Sequence, residues 1–100
     1  MSGTDFLDAL EKIVAQRLAE APESSYTARL AAKGVAKVAQ KVGEEGVEIA
    51  LAAVGEPDAR VTEEAADLLY HLIVLLKLRG LGLADVAREL ERRHAARAQP

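Results

Sequence analysis

The chain has 100 residues, half of them apolar, with 13 Lys and Arg against 16 Asp and Glu. That length suits one domain with a thin core, and the net charge of −3 gives no basic surplus with which to grip a nucleic-acid backbone. With no cysteine there is neither a disulfide framework nor a thiolate metal centre, and with Phe6, Tyr26 and Tyr70 the only aromatics the core must be Leu, Val, Ile and Ala, which favours helix packed on helix.

In chain order, Thr4 is placed to cap a first helix whose Phe6, Leu10, Ile13, Val14 and Leu18 recur at helical spacing, and Ala21-Pro22 ends it. After the polar linker Pro22-Glu23-Ser24-Ser25, Ser25 can cap a short segment from Tyr26 to Lys33 that breaks at Gly34. A second long helix is predicted from about Val35 to Val54, stopped by Gly55-Glu56-Pro57-Asp58. A third follows from about Ala59 to Leu78, ahead of Gly80 and Gly82, and a last one from Leu83 to about Ala96. Gly82 stands where a Ser, Thr or Asp cap is expected, which leaves the start of that last helix open. No strand alternation or internal repeat interrupts the pattern. The fold class is therefore all-α, with four to five helices. The longest apolar run, Leu72 to Leu76, is far below the ~20 residues of a membrane span, so a cytoplasmic protein without a membrane partner is expected.

The chemistry lies in the polar residues of the two long middle helices. From Val42 to Val54 only Glu44, Glu45 and Glu48 carry charge, and they form one stripe with Lys37 and Lys41. Val38, Val42 and Ile49 flank the stripe on one side and Val47, Leu51 and Val54 on the other, so the carboxylates are expected to face inward. In the next helix Glu64, Asp67 and His71 share one face among Ala, Leu, Ile and Val. Helices joined by so short a loop pack antiparallel, which brings the two stripes together. Converging carboxylates need a compensating cation, and all-oxygen ligation suits Mg²⁺ or Mn²⁺. The alternative is a solvated face on which Lys41 pairs with Glu44, Glu45 and Glu48 at i,i+3 and i,i+4 spacing. Taken singly, His71 and Tyr70 read as hydrogen-bonded packing residues, and Arg29, Lys33 and Lys37 as surface cations.

These residues together resemble a known family. Lys41-Val42-Gly43-Glu44-Glu45-Gly46-Val47-Glu48, then Glu64-Ala65-Ala66-Asp67-Leu68-Leu69-Tyr70-His71-Leu72, is similar to the signature of phosphoribosyl-ATP pyrophosphohydrolases of histidine biosynthesis, and Ser25-Tyr26-Thr27-Ala28-Arg29-Leu30 with Lys33-Gly34 matches that family's linker and turn. The acidic part is shared with the wider all-α, MazG-like nucleoside triphosphate pyrophosphatases. The resemblance implies a MazG-like bundle completed by dimerisation, one such domain over residues 1–100, and hydrolysis of phosphoribosyl-ATP to phosphoribosyl-AMP and pyrophosphate. It implies Glu45, Glu48, Glu64 and Asp67 as ligands of Mg²⁺, with Glu44 as a further carboxylate of the catalytic set. Glu44 or Glu48 could accept the proton of the attacking water, and Arg29, Lys33, Lys37 and Lys41 could meet the substrate phosphates. Gly46 departs from the Ala common in relatives, and either loosens the helix or admits a close partner.

Three rivals stand beside this expectation. A house-cleaning pyrophosphatase of the MazG type would need the same acids without the Ser25-Tyr26-Thr27 and Tyr70-His71 context. A di-iron bundle would need Glu-x-x-His pairs that the chain lacks, and a non-enzymatic dimerisation module would be indifferent to Mg²⁺. Helices apolar nearly all round in so short a chain predict a homodimer or higher assembly.

Overall fold

The computed structural model describes residues 3–96, which form five α-helices and no strand: α1 (Asp5–Glu20), α2 (Tyr26–Ala32), α3 (Val35–Gly55), α4 (Asp58–Leu78) and α5 (Leu83–Ala96). Among them no helix is long and apolar enough to cross a membrane.

Several boundaries have a local cause. Thr4 takes the N-cap position of α1, but its side chain does not make the expected cap bond. At the other end Ala21 closes the helix in the left-handed region, at φ 47°, and Pro22 forbids continuation. Ser25 does cap α2, its Oγ accepting from the Ala28 N–H at 3.1 Å. Gly34 stands between α2 and α3 at φ +96°, a conformation costly for any residue with a Cβ, and so makes the break that its place in the sequence suggests. Helix α4 ends in a Schellman turn: Gly80 adopts φ +75°, its N–H donates to Lys77 O at 3.0 Å, and the Leu81 N–H reaches Leu76 O at 2.8 Å. Helix α3 runs unbroken through Gly46, where an added Cβ would meet nothing within 4 Å, so packing inside the chain does not demand that glycine.

The uncapped start of α5 is rescued from two sides. The Gly82 N–H donates to Asp85 Oδ2 at 2.8 Å, and the Leu83 N–H to Glu11 Oε2 at 2.7 Å, so a carboxylate from α1 does the work of the missing cap.

Helices α3 and α4, joined through Glu56-Pro57, form an antiparallel pair that is the spine of the molecule. Helices α1 and α2 cover one end of it, and Val14, Leu30, Val38, Ile73 and Val74 make the buried core, with Leu10, Leu18, Leu69 and Leu78 packed around them. On α3 the inward seam is Val38, Glu45 and Ala52, one residue per two turns, all buried. The apolar flank that so short a chain has too few partners to cover lies open in the single chain: Val47, Leu51 and Val54 are 60, 65 and 89% exposed.

Candidate active site

The seam of α3 meets α4 at polar residues. Glu45 and Glu64 are buried, at 4% and 6% exposure, while Glu48 is exposed one turn along from Glu45. Oxygens of Glu45, Glu48 and Glu64 lie within 4.8 Å of one another, so two helices deliver three carboxylates to one spot. Glu44 and Asp67 stand outside that group, both exposed, and to that extent the expectation that all the acids turn inward is corrected. For Glu44 the reason is angular: it is adjacent in sequence to the seam residue Glu45 and so lies about 100° from it around the helix.

Neighbours partly compensate the buried charge. Lys41 Nζ lies 3.7 Å from Glu45 Oε1, and His71 Nδ1 lies 3.4 Å from the same oxygen. Arg60, one turn before Glu64, bonds Glu64 Oε1. The other oxygen, Glu64 Oε2, is buried without a hydrogen-bond partner among the described residues. Burial above all, then the Glu48 carboxylate beside it and the charge of Asp67, hold Glu64 above the usual carboxylate range against the opposing pull of Arg60. Arg60 itself escaped the sequence reading; its i,i+4 spacing to both Glu56 and Glu64 was the available signal.

A second feature adjoins the carboxylates. Between α2 and α3 lies a cavity of about 370 Å³ walled by Arg29, Lys33, Lys37, Lys41 and Glu44, with Tyr26 at its α2 side. All four cations singled out from the sequence therefore face one space, and the Lys41–Glu45 pair joins it to the acidic group. Glu44, the fifth charged wall residue, accepts from Gln40 Nε2 at 3.0 Å.

The paired motifs Ser25-Tyr26-Thr27 and Tyr70-His71 meet in space. The hydroxyls of Thr27 and Tyr70 are hydrogen-bonded, the Tyr26 and Tyr70 rings lie 6.2 Å apart, and Tyr26 Oη is 3.0 Å from His71 Nε2. His71 Nδ1 donates to the Asp67 carbonyl at 2.8 Å, which fixes the ring and sets Nε2 against the Tyr26 hydroxyl. Thus Tyr70 and His71 are the hydrogen-bonded packing residues that their composition suggested, and they lock α2, with its wall of the cavity, onto α4. What this arrangement offers chemically is a site for a hard cation beside a pocket for a polyanion.

Comparison with known proteins bears on the family of the chain. The family described as phosphoribosyl-ATP pyrophosphohydrolase matches residues 7–94. A histidine biosynthesis bifunctional protein (HisIE) of Xylella fastidiosa is 58% identical over 89 residues, which are 89% of this chain and 43% of that protein. Phosphoribosyl-ATP pyrophosphatases of Pyrobaculum calidifontis and Metallosphaera sedula are each 56% identical, over 87% and 90% of this chain and 93% and 97% of their own lengths. The chain thus spans less than half of the bifunctional relatives and nearly all of the other two.

Proposed function

The chain belongs to the phosphoribosyl-ATP pyrophosphohydrolase family, and from that membership we propose that it hydrolyses phosphoribosyl-ATP to phosphoribosyl-AMP and pyrophosphate, a step of histidine biosynthesis in the cytoplasm. The observation that carries the reading is the three-carboxylate group of Glu45, Glu48 and Glu64, with its unpartnered Glu64 Oε2, set beside the cavity of Arg29, Lys33, Lys37 and Lys41.

A buried carboxylate oxygen with no donor is the kind of atom a cation satisfies, and carboxylates alone favour a hard one. Glu45, Glu48 and Glu64 would hold Mg²⁺ or Mn²⁺, with Asp67, one turn beyond Glu64, as the fourth ligand that the family resemblance implies. Such an ion supplies charge neutralisation on the phosphoryl oxygens.

The chain's own residues do the rest. Arg29, Lys33, Lys37 and Lys41 bind the polyphosphate and the phosphate of the added ribosyl group, with Arg offering a planar fork and Lys point charges. Glu44 lines the same cavity and lies outside the ion-holding group, which makes it the better placed of the two proton acceptors weighed from sequence. As the water oxygen bonds phosphorus, its proton passes to the Glu44 carboxylate, and the bridging P–O bond breaks with its electron pair leaving on the departing phosphoryl oxygen.

The test is pyrophosphate release from phosphoribosyl-ATP, with Mg²⁺ and with EDTA, against a panel of ordinary nucleoside triphosphates. We expect release that needs Mg²⁺ and prefers phosphoribosyl-ATP. Equal turnover of ordinary triphosphates would indicate a house-cleaning pyrophosphatase, and no release from any substrate would sink the enzymatic reading.

A further inference from the structure

We propose that Arg60 is a positioning residue: its guanidinium ties one oxygen of Glu64 and so holds that carboxylate in the group formed with Glu45 and Glu48. The proposal rests on the reading of those three acids as the holders of a divalent ion.

The geometry is a three-way clamp where α3 gives way to α4. Arg60 reaches Glu64 through Nη2, Glu63 through Nη1 at 2.5 Å and Glu56 through Nε at 3.3 Å, so each guanidinium nitrogen is committed to a different carboxylate. Glu56 and Glu63 are exposed and take no part in the acidic group, so they anchor the guanidinium without competing for the ion. Glu64 is divided between two tasks: Oε1 belongs to Arg60, and Oε2 is buried with no partner. Without the clamp, the Glu64 side chain keeps its burial but loses the bond that fixes the direction of its carboxylate beside Glu45 and Glu48. Among the described residues Arg60 forms no ion pair with Glu45 or Glu48, so its charge is not inserted where the cation would sit. Lysine cannot substitute fully, because an ammonium is a point charge and cannot hold three carboxylates in fixed directions.

An exposed salt bridge with no role, or a competing cation, makes the opposite prediction. Carboxylates that bind metals are oriented by outer partners whose loss typically weakens affinity about 10–100-fold. Titration of the substrate-free protein with Mn²⁺, followed by electron paramagnetic resonance of the free ion, should therefore show R60Q binding about 10–100-fold more weakly than wild type, with R60K between them. An R60Q that binds Mn²⁺ as tightly as wild type, or more tightly, overturns the proposal. So does an R60K at the wild-type Kd, which also decides the matter should R60Q lose its helical circular dichroism. Wild-type protein that takes up no Mn²⁺ overturns this proposal together with the ion-holding reading, whereas an unaffected R60Q beside a binding wild type overturns this one alone.

Discussion

Glu64 carries a carboxylate into a place where water scarcely reaches, and one arginine satisfies only half of it. Because its folded pKa is raised above the ordinary 4.5, chiefly by burial, the metal-free fold binds the Glu64 proton more readily than the unfolded chain does. Its contribution to metal-free stability therefore falls as pH rises from about the ordinary value through the raised one, above which the full cost of the buried charge is borne. An ion removes that cost by giving Oε2 a partner. Glu64→Gln should accordingly melt in EDTA at pH 7 at or above the wild-type temperature, gain nothing from Mg²⁺, and lose at least about 10²-fold in pyrophosphate release. Melting curves with and without Mg²⁺ give the check; a variant still stabilised by Mg²⁺ would show that the ion sits elsewhere. At this scale the sequence was most readable where the spacing was local. Glu45, Glu48 and Glu64 were found from helical periodicity, and the cavity cations from their place along α2 and α3. The split between Glu45, buried, and its neighbour Glu44, on the cavity wall, depends on the rotational setting of α3 against α4, which periodicity alone does not fix.

At the level of elements, the start of α5 shows a helix cap supplied across the fold. Glu11 of α1 accepts from the Leu83 N–H and pairs with Lys77 of α4 at 3.1 Å, so three helices meet at one carboxylate. Gly82 is what lets it approach: a Cβ there would lie 2.5 Å from Glu11 Oε2. The Leu83 N–H first, and Lys77 after it, hold the Glu11 carboxyl below its ordinary range against burial, and the Gly82 N–H, with help from Arg88, does the same for Asp85. For depressed carboxyls the sign is the reverse of that at Glu64: the stabilisation is complete above the ordinary values of 4.5 and 3.8 and is lost as pH falls through the lowered ones, so this joint weakens in acid. Glu11→Ala and Gly82→Ala should each cost about 1 kcal/mol at pH 7, the usual value of a lost cap. Because both remove one contact, the double variant should cost clearly less than their sum, which urea unfolding of the four proteins will measure; strict additivity would show that Glu11 is not the cap. Glu11 lies 72 residues from Leu83, and no local pattern could have announced the pair. Ser25, capping within its own turn, was legible for the opposite reason.

For the whole molecule the open question is what covers α3. The single chain has a radius of gyration of 15.3 Å, where a compact domain of 100 residues has about 13 Å. It exposes 6862 Å², where a compact monomer of 10.7 kDa exposes about 5,500 Å². The two long helices account for this, since they extend past the small helices that cover one end, and the apolar stripe of Val47, Leu51 and Val54 lies on the side of α3 away from its seam. The sequence suggested that this flank would be covered and that the chain is too short to cover it; in the single chain it is left open, and a second copy is the covering proposed here. A two-fold interface is self-complementary, so a charge on the stripe is introduced twice and meets apolar surface or its own symmetry mate. Leu51→Glu should then sediment at the 10.7 kDa of one chain at micromolar concentration while wild type sediments at about twice that, both with full helical circular dichroism. Wild-type protein that sediments as a single active chain under the same conditions would leave the stripe without a self-partner and end the dimer reading.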